Sequence, residues 1–334
     1  MDDLVVLTRD PLNAETPLAR QVGSITPVAQ HYVRSHFSAP PAPRTVAFDG
    51  RVEAPFSIAA DELRSLPARS LIVTLECAGN GRSFLEPPAP GEQWGLGAVG
   101  TAEWTGVPLA DLLSRAKPLP DAKEIVFRGA DRGEPAGLGQ TIAFERSLPL
   151  EQAMRAEAIL AYAMNGQPLT PEHGAPVRLV VPGAYGMASV KWLAQVSAVT
   201  DEFNGFFQRD RYVIDGKPLG AIEPRAVVVE PVAGAHLDLG ANLIRGYAWS
   251  GRESIAGVDI STDGGRTWRA AKLAPAVSAF AWREWHYQWD ALRGEASLIA
   301  IAVTRTGERQ PLTAVRNELG YSNTTAQPVR VRVG

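Results

Sequence analysis

The sequence predicts an α+β protein of two domains, with a mixed first domain at residues 1–220 and a β-sandwich at residues 221–334. Two observations support this prediction. The chain has 334 residues, and a typical domain takes about 150. The pattern also changes near position 221. Helical and strand patterns mix before that point, whereas only short apolar alternations between turn residues follow it, as is typical of a sandwich.

The first domain contains all the predicted helices. Residues 1–45 hold scattered prolines and predict an irregular arm. Residues 70–75 form an apolar run typical of a buried strand. Residues 109–113 predict a helix, and so do residues 151–164, where apolar residues recur and Asn165-Gly166 provides a C-terminal stop signal.

Two patterns in the second domain favour structural roles. The stretch from Ser261 to Trp268, with Asp263 inside it, resembles the Asp-box, a hairpin whose aspartate caps the turn. A single copy without a propeller repeat favours a structural element over a hydrolase site. An aromatic cluster in the same domain is typical of core packing or, alternatively, of an interface. Its members are Trp282, Trp285, Tyr287 and Trp289.

The charge balance argues against nucleic acid as a partner. The chain carries 33 basic and 36 acidic residues, a net charge of −3, and shows no basic stripe. No apolar run approaches 18 residues, so no membrane-spanning helix is expected. The start, Met1-Asp2-Asp3-Leu4, lacks a basic region and a twin-arginine pair. The sequence as given therefore predicts a cytoplasmic protein, or a periplasmic one if an export leader has been removed.

Residues 95–100 match the dinucleotide fingerprint G-x-G-x-x-G. That motif acts as a phosphate site only when a strand precedes it and a helix follows it. Here a proline-rich stretch precedes the glycines, and residues 104–108 interrupt any helix behind them. The pattern therefore predicts an ordinary glycine loop.

The surroundings of Cys77 point to chemistry. Cys77 is the single cysteine, which excludes an internal disulfide and cysteine-rich metal sites. It follows an apolar strand and enters a turn in which Gly79 and Gly81 allow close backbone approach to a bulky group. Arg82 favours the thiolate, which suits either a nucleophile or a soft metal ligand. A nucleophile would need a base such as His173.

A second polar segment lies between apolar runs at residues 173–192. It places His173, Arg178, Ser189 and Lys191 around a glycine-rich turn. Cationic donors around a flexible turn suit an anionic phosphate.

These segments together resemble the sulfite oxidase family of molybdenum enzymes over nearly the whole chain. The patch at residues 31–36 resembles the family's aromatic-x-Arg-x-His segment, and residues 77–83 resemble its molybdenum-cysteine motif. Residues 159–192 resemble its most specific block. The resemblance implies a sulfite-oxidase-type molybdopterin-binding domain followed by an immunoglobulin-like dimerisation domain at residues 221–334, and hence a homodimer.

The resemblance also implies a molybdenum–molybdopterin cofactor. Cys77 matches the only protein ligand of the molybdenum, in keeping with the preference of such a metal for a soft thiolate. Tyr212 matches the active-site tyrosine, and Arg34 and Arg82 match arginines that line the anion pocket. The positions that match residues holding the pterin and its phosphate are Tyr32, Arg34, His36, Asp131, His173, Arg178, Ser189 and Lys191.

The reaction implied by the resemblance is the oxidation of sulfite to sulfate by oxygen-atom transfer. The pocket arginines would hold the dianionic substrate and screen its charge. The sequence as given contains no haem attachment motif. We therefore expect the electrons to pass to an external acceptor such as a cytochrome.

Two positions depart from the family pattern and keep alternatives open. Leu319 stands where animal members carry an arginine that reaches the substrate, and Gly81 stands where the family has an arginine next to Arg82. One alternative is a molybdenum enzyme of this fold acting on another small oxo-substrate. Another is a non-catalytic protein of the same fold, and a third is a cysteine hydrolase that pairs Cys77 with His173.

Overall fold

Strands make up most of the fold, and the helices between them are short. The computed structural model describes residues 3–155 and 157–334, so Met1 and Asp2 of the acidic N-terminal segment lie outside it. The helices are α1 (Ala60–Arg64), α2 (Leu109–Ala116) and α3 (Leu150–Ala153). Single 3-10 turns lie at Leu18–Arg20, Val28–Gln30, Arg82–Phe84, Pro171–His173 and Gly186–Ala188, and a π-helical turn lies at Phe207–Arg211. The predicted α+β class is confirmed.

The strands before position 221 are mostly short. In chain order they are β1 (Val5–Arg9), β2 (Leu12–Glu15), β3 (Thr45–Gly50), β4 (Phe56–Ala59), β5 (Arg69–Glu76), β6 (Val99–Pro108), β7 (Glu124–Gly133), β8 (Ile142–Pro149), β9 (Ile159–Met164), β10 (Gln167–Pro168), β11 (Arg178–Val180), β12 (Leu193–Val199), β13 (Val213–Ile214) and β14 (Lys217–Pro218).

Two five-stranded sheets form the frame of the first domain. One has the order β10-β9-β6-β5 with β11 also paired to β9, and the other has the order β4-β3-β12-β7-β8. Helix α2, which was predicted, buries a face spaced as in an amphipathic helix. The buried residues of that face are Leu109, Leu112, Leu113 and Ala116. Strand β5 ends directly before Cys77, β11 lies within the second polar segment and β12 follows it directly, so the frame fixes both pieces of the predicted site.

The helix predicted at residues 151–164 is wrong. The segment holds only the end of α3 and then runs as strand β9, which pairs with β6, β10 and β11. Its residues Ile159 and Leu160 are fully buried, and a strand covered on both faces has an apolar run that periodicity cannot distinguish from a buried helix. The stop signal Asn165-Gly166 is the turn of the β9–β10 hairpin, with φ of 51° and 73°, as two-residue hairpins require.

The N-terminal arm is more regular than predicted. Strands β1 and β2 form an antiparallel hairpin. Ala14 in β2 exchanges two backbone hydrogen bonds of 2.9 Å with Val33. Asn13 Oδ1 accepts a hydrogen bond from the Ser35 backbone N–H at 3.0 Å. The prediction of an irregular arm is therefore wrong where β1 and β2 form the hairpin. This hairpin holds residues 31–36 in place.

The second domain is the predicted β-sandwich, and none of its residues 221–334 is helical. Its strands are β15 (Arg225–Glu230), β16 (His236–Leu237), β17 (Gly240–Trp249), β18 (Ile255–Ser261), β19 (Arg269–Ala270), β20 (Lys272–Leu273), β21 (Arg283–Ala291), β22 (Gly294–Thr304) and β23 (Val329–Val333). Two sheets, β15-β17-β21-β20 and β16-β23-β22-β18-β19, enclose one apolar core. The boundary between residues 220 and 221 stays a prediction.

The motifs of the second domain have structural roles. Trp285, Tyr287 and Trp289 alternate along β21 and pack on the sandwich core. The nearby Trp282 is buried, so the cluster packs on the core of the chain, and the interface alternative stays a prediction. In the Asp-box hairpin, Asp263 Oδ1 accepts hydrogen bonds from two backbone N–H groups of the turn, at 3.0 and 2.9 Å.

The glycine loop at residues 95–100 binds a carboxylate of the protein itself. Glu15 accepts hydrogen bonds from the backbone N–H groups of Gly95 at 2.5 Å and Gly97 at 2.9 Å. Burial raises the pKa of Glu15, and these hydrogen bonds oppose that shift. A Cβ on Gly97 would lie 2.3 Å from the carbonyl oxygen of Thr16. Strand β6, rather than a helix, follows the loop, which agrees with the prediction of an ordinary loop.

Candidate active site

A cavity in the first domain collects ten of the eleven predicted site residues. It contains about 670 Å³ of space not occupied by protein atoms, part of which is open to solvent. The predicted residues that line it are Tyr32, Arg34, His36, Cys77, Asp131, His173, Arg178, Ser189, Lys191 and Tyr212. Residues far apart in sequence therefore converge on one space, as expected of a ligand site.

Cys77 enters this cavity from the end of β5. Its backbone N–H donates to the carbonyl oxygen of Ala98 at 2.8 Å, and its own carbonyl accepts from the N–H of Asn80 at 2.9 Å, which closes a tight turn. Burial raises the pKa of the Cys77 thiol, while Arg34, the N–H of Gly79 and Arg82 oppose the shift. The buried thiol is therefore poised for a partner, such as a metal ion, that stabilises the thiolate.

A hydrogen-bonded chain of Arg34, His36 and Tyr212 lies beside the thiol. His36 Nε2 is 2.7 Å from the Tyr212 hydroxyl, and Arg34 Nη2 is 3.1 Å from His36 Nδ1. Arg34 Nη2 also lies 3.3 Å from His36 Nε2. Because a guanidinium can only donate and its shorter contact is with Nδ1, we assign the lone pair of the imidazole to Nδ1 and its hydrogen to Nε2. The Tyr212 oxygen then accepts from His36, which leaves its O–H free to donate into the cavity.

Burial governs the ionisation of this chain. It lowers the pKa of His36 well below its usual value, and Arg34 adds to the shift. Burial also raises the pKa of Tyr212, with Arg34 opposing. Near neutral pH the imidazole and the phenol are both uncharged, so the chain carries the single positive charge of Arg34.

A second group of cations lies at Arg178 and Lys191. Arg178 donates to the carbonyl oxygens of His173 at 3.1 Å and Ser189 at 3.0 Å. Lys191 Nζ donates to Ser35 Oγ at 2.7 Å and also to a backbone carbonyl. Within residues 3–155 and 157–334, neither cation has a carboxylate at ion-pair distance.

The pKa values report this uncompensated charge. Burial lowers the pKa of Arg178 to about 10. It lowers the pKa of Lys191 well below its usual value, and Arg178 adds to that shift. Burial raises the pKa of Asp131 to about 6, although Lys191 opposes the shift. An anion placed among these groups would restore the cationic forms that burial disfavours.

The sequence analysis missed His31, which also lines the cavity. Its Nδ1 is 3.1 Å from the carbonyl oxygen of Tyr32, while its buried Nε2 has no hydrogen-bond partner. Burial lowers the pKa of His31 to about 4, so the ring is neutral at pH 7 and Nε2 can accept a hydrogen bond. Ser35, Glu172 and other neighbours of predicted residues line the cavity as well, and their position beside those residues was the only available signal.

Arg82 is not among the residues that line the cavity, and its anion contact stays a prediction. Its Nη1 donates to the carbonyl oxygen of Glu92 at 2.8 Å and its Nε to that of Leu319 at 3.2 Å. Its guanidinium also stands 5.1 Å from the ring centre of Tyr321. Two of its nitrogens therefore donate to backbone carbonyls, and its guanidinium packs against an aromatic ring.

The two positions that depart from the family pattern also lie outside the cavity. Leu319 packs on the core and lines a neighbouring groove between the domains. Gly81 has a φ of +84°, a conformation that an arginine would adopt only with strain. An arginine at position 81 would therefore require a change of the local backbone.

The donor set fits a molybdenum–pterin cofactor. No group of three or more His, Cys, Asp or Glu side chains suited to a metal ion occurs in the described part of the chain, so a metal here would rely on Cys77 and non-protein ligands. The uncompensated Arg178 and Lys191 suit a phosphate. The unpartnered His31 Nε2 suits a hydrogen-bond donor of a heterocycle.

Two family models match most of the chain. Residues 36–207 match the oxidoreductase molybdopterin binding domain, and residues 219–333 match the Mo-co oxidoreductase dimerisation domain. The domain order implied by the sequence resemblance is therefore confirmed. Within the described chain, no helix has the length and apolar character needed to cross a membrane.

Individual relatives agree with these models. Mitochondrial sulfite oxidase of Mus musculus is 36% identical over 342 residues, which cover 93% of this chain but only 62% of the mouse protein. Sulfite oxidase of Arabidopsis thaliana is 32% identical over 373 residues, 99% of this chain and 94% of the plant protein. The crystal structure of the sulfane dehydrogenase SoxCD from Paracoccus pantotrophus matches with a TM-score of 0.85 at 30% identity, covering 96% of this chain and 85% of that chain.

Proposed function

The chain belongs to the sulfite oxidase family of molybdopterin oxidoreductases, and from that membership we propose that it oxidises sulfite to sulfate. Sulfite and water would yield sulfate, two protons and two electrons, and the electrons would pass to an external acceptor such as a cytochrome. The observation that carries the proposal is the convergence of Cys77, the Arg34–His36–Tyr212 chain and the uncompensated cations on one cavity.

The proposed cofactor contacts divide among three parts of the cavity wall. Cys77 would hold the molybdenum through its thiolate, and the proton of the thiol would leave as the metal binds. Arg178, Lys191 and Ser189 would hold the phosphate, and Lys191 would regain the proton affinity that burial removes. Tyr32, His36, Asp131, His173 and the newly found His31 complete the proposed contacts with the pterin.

The residues beside the thiol would orient the substrate. When bound, the molybdenum centre supplies oxygen-atom transfer and takes up two electrons. Arg34 offers positive charge to an anionic substrate in a partly enclosed space, where charge interactions exceed those in water. The Tyr212 O–H, free because the phenol oxygen accepts from His36, would donate a hydrogen bond at the reacting side and serve as a proton station.

A second candidate substrate is a small sulfur or oxo compound with less negative charge than sulfite. Arg82 donates to two backbone carbonyls and Leu319 lies outside the cavity, so Arg34 is the one predicted substrate arginine that lines it. Each missing charge-assisted contact lowers the affinity for a dianion. A substrate with one charge would lose less from that difference.

The second domain would form the contact between two copies of the chain. Its family model describes a dimerisation domain, and residues of the sandwich would supply the contact. We therefore propose a homodimer in which each cavity is built by one chain.

The first test is the molybdenum-to-protein ratio of protein purified from a host that makes the cofactor. We expect a ratio near one and sulfite-dependent reduction of ferricyanide. A ratio near zero in a well-folded sample would contradict the proposal and favour the non-catalytic or cysteine-nucleophile alternatives. Iodoacetamide separates those two, because a free nucleophilic Cys77 would be alkylated quickly.

The substrate is tested on the same preparation. Sulfite should give a lower KM than a singly charged sulfur compound if the dianion is the substrate. The reverse order would contradict sulfite and support the second candidate.

A further inference from the structure

The second domain forms hydrogen bonds to the turn that carries Cys77, and these contacts are called the grip on the turn below. The carbonyl oxygen of Ala78 accepts a hydrogen bond from the backbone N–H of Ser322 at 2.9 Å. The carbonyl oxygen of Gly81 accepts one from Asn323 Nδ2 at 2.7 Å. Two neighbouring residues of the second domain therefore satisfy two carbonyl groups directly after the thiol.

Arg225 extends this grip from the start of β15. Its Nη2 donates to the carbonyl oxygens of Asn80, at 3.2 Å, and of Asn323. Its Nε lies 3.3 Å from Oε1 of Glu76, the last residue of β5. Glu76 also accepts hydrogen bonds of 2.9 Å from Asn80 Nδ2 and from Trp249 Nε1. The Arg225 and Glu76 side chains are 3% and 1% exposed, and a buried pair of this kind holds its geometry closely because misplacement leaves a charge unpaired.

The same segment of the second domain, at residues 317–323, reaches the other side of the site. The carbonyl oxygen of Leu319 accepts from Arg82 Nε at 3.2 Å. The ring of Tyr321 lies under Arg82 and stacks on Tyr212 with a centroid distance of 5.2 Å. One loop therefore contacts both the thiol-bearing turn and the tyrosine of the cavity.

The turn closes on its own backbone hydrogen bonds, from the Asn80 N–H to the Cys77 carbonyl at 2.9 Å and from the Arg82 N–H to the Gly79 carbonyl at 3.0 Å, but most of its side chains are small. Residues 78–81 read Ala-Gly-Asn-Gly, and Gly81 adopts a φ of +84°. Small residues leave the backbone with more freedom than most sequences do. The direction of the Cys77 side chain therefore depends on these bonds together with the hydrogen bonds from the second domain that fix the following carbonyl groups.

We propose that Asn323, Arg225 and the loop at residues 317–323 are positioning elements for the metal ligand, so that the second domain sets the orientation of the Cys77 sulfur. This role of the sulfur rests on the proposed function, whereas the grip on the turn does not. The second domain is then part of the active site as well as a dimerisation module.

Two variants test the proposal, and one serves as control. Asn323→Ala removes the donor to Gly81. Arg225→Lys keeps the charge near Glu76 but loses the fork that reaches two carbonyl groups. The control Tyr247→Phe removes a hydroxyl at the same domain interface, 3.0 Å from the carbonyl oxygen of Gly23, that does not contact the turn.

Two readouts are needed. Electron paramagnetic resonance of the half-reduced molybdenum reports the geometry of its ligands in the loaded enzyme. Deuterium exchange of the peptide spanning residues 77–84 reports the opening of the turn whether or not the cofactor is bound. We expect Asn323→Ala and Arg225→Lys to shift the resonance spectrum, to lower kcat more than they raise KM, and to exchange about tenfold faster in this peptide. Tyr247→Phe should resemble the unaltered protein in all three.

The outcomes distinguish this proposal from the proposed function. If the unaltered protein binds molybdenum and oxidises sulfite but both variants keep its spectrum, the positioning role is overturned and the function stands. If the unaltered protein holds no molybdenum, the function fails and the exchange data decide on the grip. Faster exchange in Asn323→Ala and Arg225→Lys, but not in Tyr247→Phe, then supports the role of the second domain in holding the turn. Equal exchange in all four proteins overturns it. If Asn323→Ala does not fold, the more conservative Arg225→Lys supplies the result.

Discussion

Two groups of side chains share the cavity and are held in opposite ways. Arg34, His36 and Tyr212 bond to one another, so their order is set before any ligand arrives. Arg178 and Lys191 bond to backbone carbonyls and a hydroxyl, and no carboxylate of the described chain balances them. The first group is preorganised for hydrogen bonding, whereas the second is electrostatically incomplete without an anion.

This difference assigns separate tasks to the two groups. A change in the incomplete group should lower retention of the cofactor and leave the chemistry of each loaded site nearly intact. A change in the preorganised group should do the reverse. Cys77 belongs to both tasks, because it would both hold the metal and set its reactivity.

The largest effect is expected for Cys77→Ser. A hydroxyl is a harder and much less acidic ligand than a thiol, so we expect turnover to fall by more than about a thousandfold. Steady-state assays with sulfite and ferricyanide measure the loss, and circular dichroism checks that the fold is kept. Full activity in this variant would contradict the role of Cys77 as the molybdenum ligand.

Lys191→Met should act on retention. Removing one charged donor from the phosphate costs about 1.5–3 kcal/mol, which corresponds to a release of the cofactor about ten to a hundred times faster. The molybdenum that remains with the protein after dilution gives the rate, and kcat per bound molybdenum should stay within about twofold. The exposed Lys272 on β20 provides a charge-matched control as Lys272→Met. Equal release from both variants would remove Lys191 from the proposed phosphate site.

Tyr212→Phe should act on chemistry. The substitution deletes only the hydroxyl that accepts from His36, and we expect kcat to fall about ten- to a hundredfold. The molybdenum content should match that of the unaltered protein, which serves as the internal control. A loss of cofactor at unchanged kcat per molybdenum would reverse the assignment of tasks between the two groups.

The last effect concerns the acid stability of the cofactor-free protein. Burial lowers the folded-state pKa of His31 from 6.5 to about 4, so the unfolded state binds more protons in that window and stability falls as the pH drops through it. The buried His36 and His173 shift in the same direction. Asp131 opposes them, because its pKa is raised to about 6.

His31→Phe should flatten this pH dependence. His31 alone would account for up to about 3 kcal/mol between pH 6.5 and 4. Urea unfolding at pH 7, 6 and 5 measures the slope for both proteins. An unchanged slope in His31→Phe would show that this ring is not held neutral by burial.

An element of the structure could be predicted when neighbouring residues in the sequence carry the pattern that determines it. Buried and exposed residues alternate along β21 and its neighbouring strands, so the sequence pattern predicted the strands of the second domain directly. Cys77 and the segment at residues 173–192 were found because they carry chemistry unusual for apolar surroundings. The other lining residues were predicted from the family resemblance alone, and they are Tyr32, Arg34, His36, Asp131 and Tyr212. The helix predicted at residues 151–164 failed because strand β9 is covered on both faces, a fact of tertiary packing.

Arg82 shows a different limit of prediction from sequence. The sequence places its charge five residues after Cys77, but the carbonyl groups that accept from its Nη1 and Nε belong to Glu92 and Leu319. Leu319 comes from the other domain, and no local pattern announces such a partner. His31 was overlooked although it stands beside predicted residues, because its burial and its unpartnered Nε2 are visible only in the structure.

The carboxylate of Glu15 acts as a built-in ligand of the glycine loop. This loop in turn makes two hydrogen bonds to the turn that carries Cys77. The Ala98 carbonyl accepts from the Cys77 N–H, and the Gly95 carbonyl accepts from the Gly81 N–H at 2.6 Å. An N-terminal hairpin remote from the thiol in sequence thus supports the turn that carries Cys77. Trimming the chain to residue 36, where the match to the molybdopterin-binding domain begins, would remove this support. We therefore expect a minimal catalytic unit of this protein to begin before Glu15.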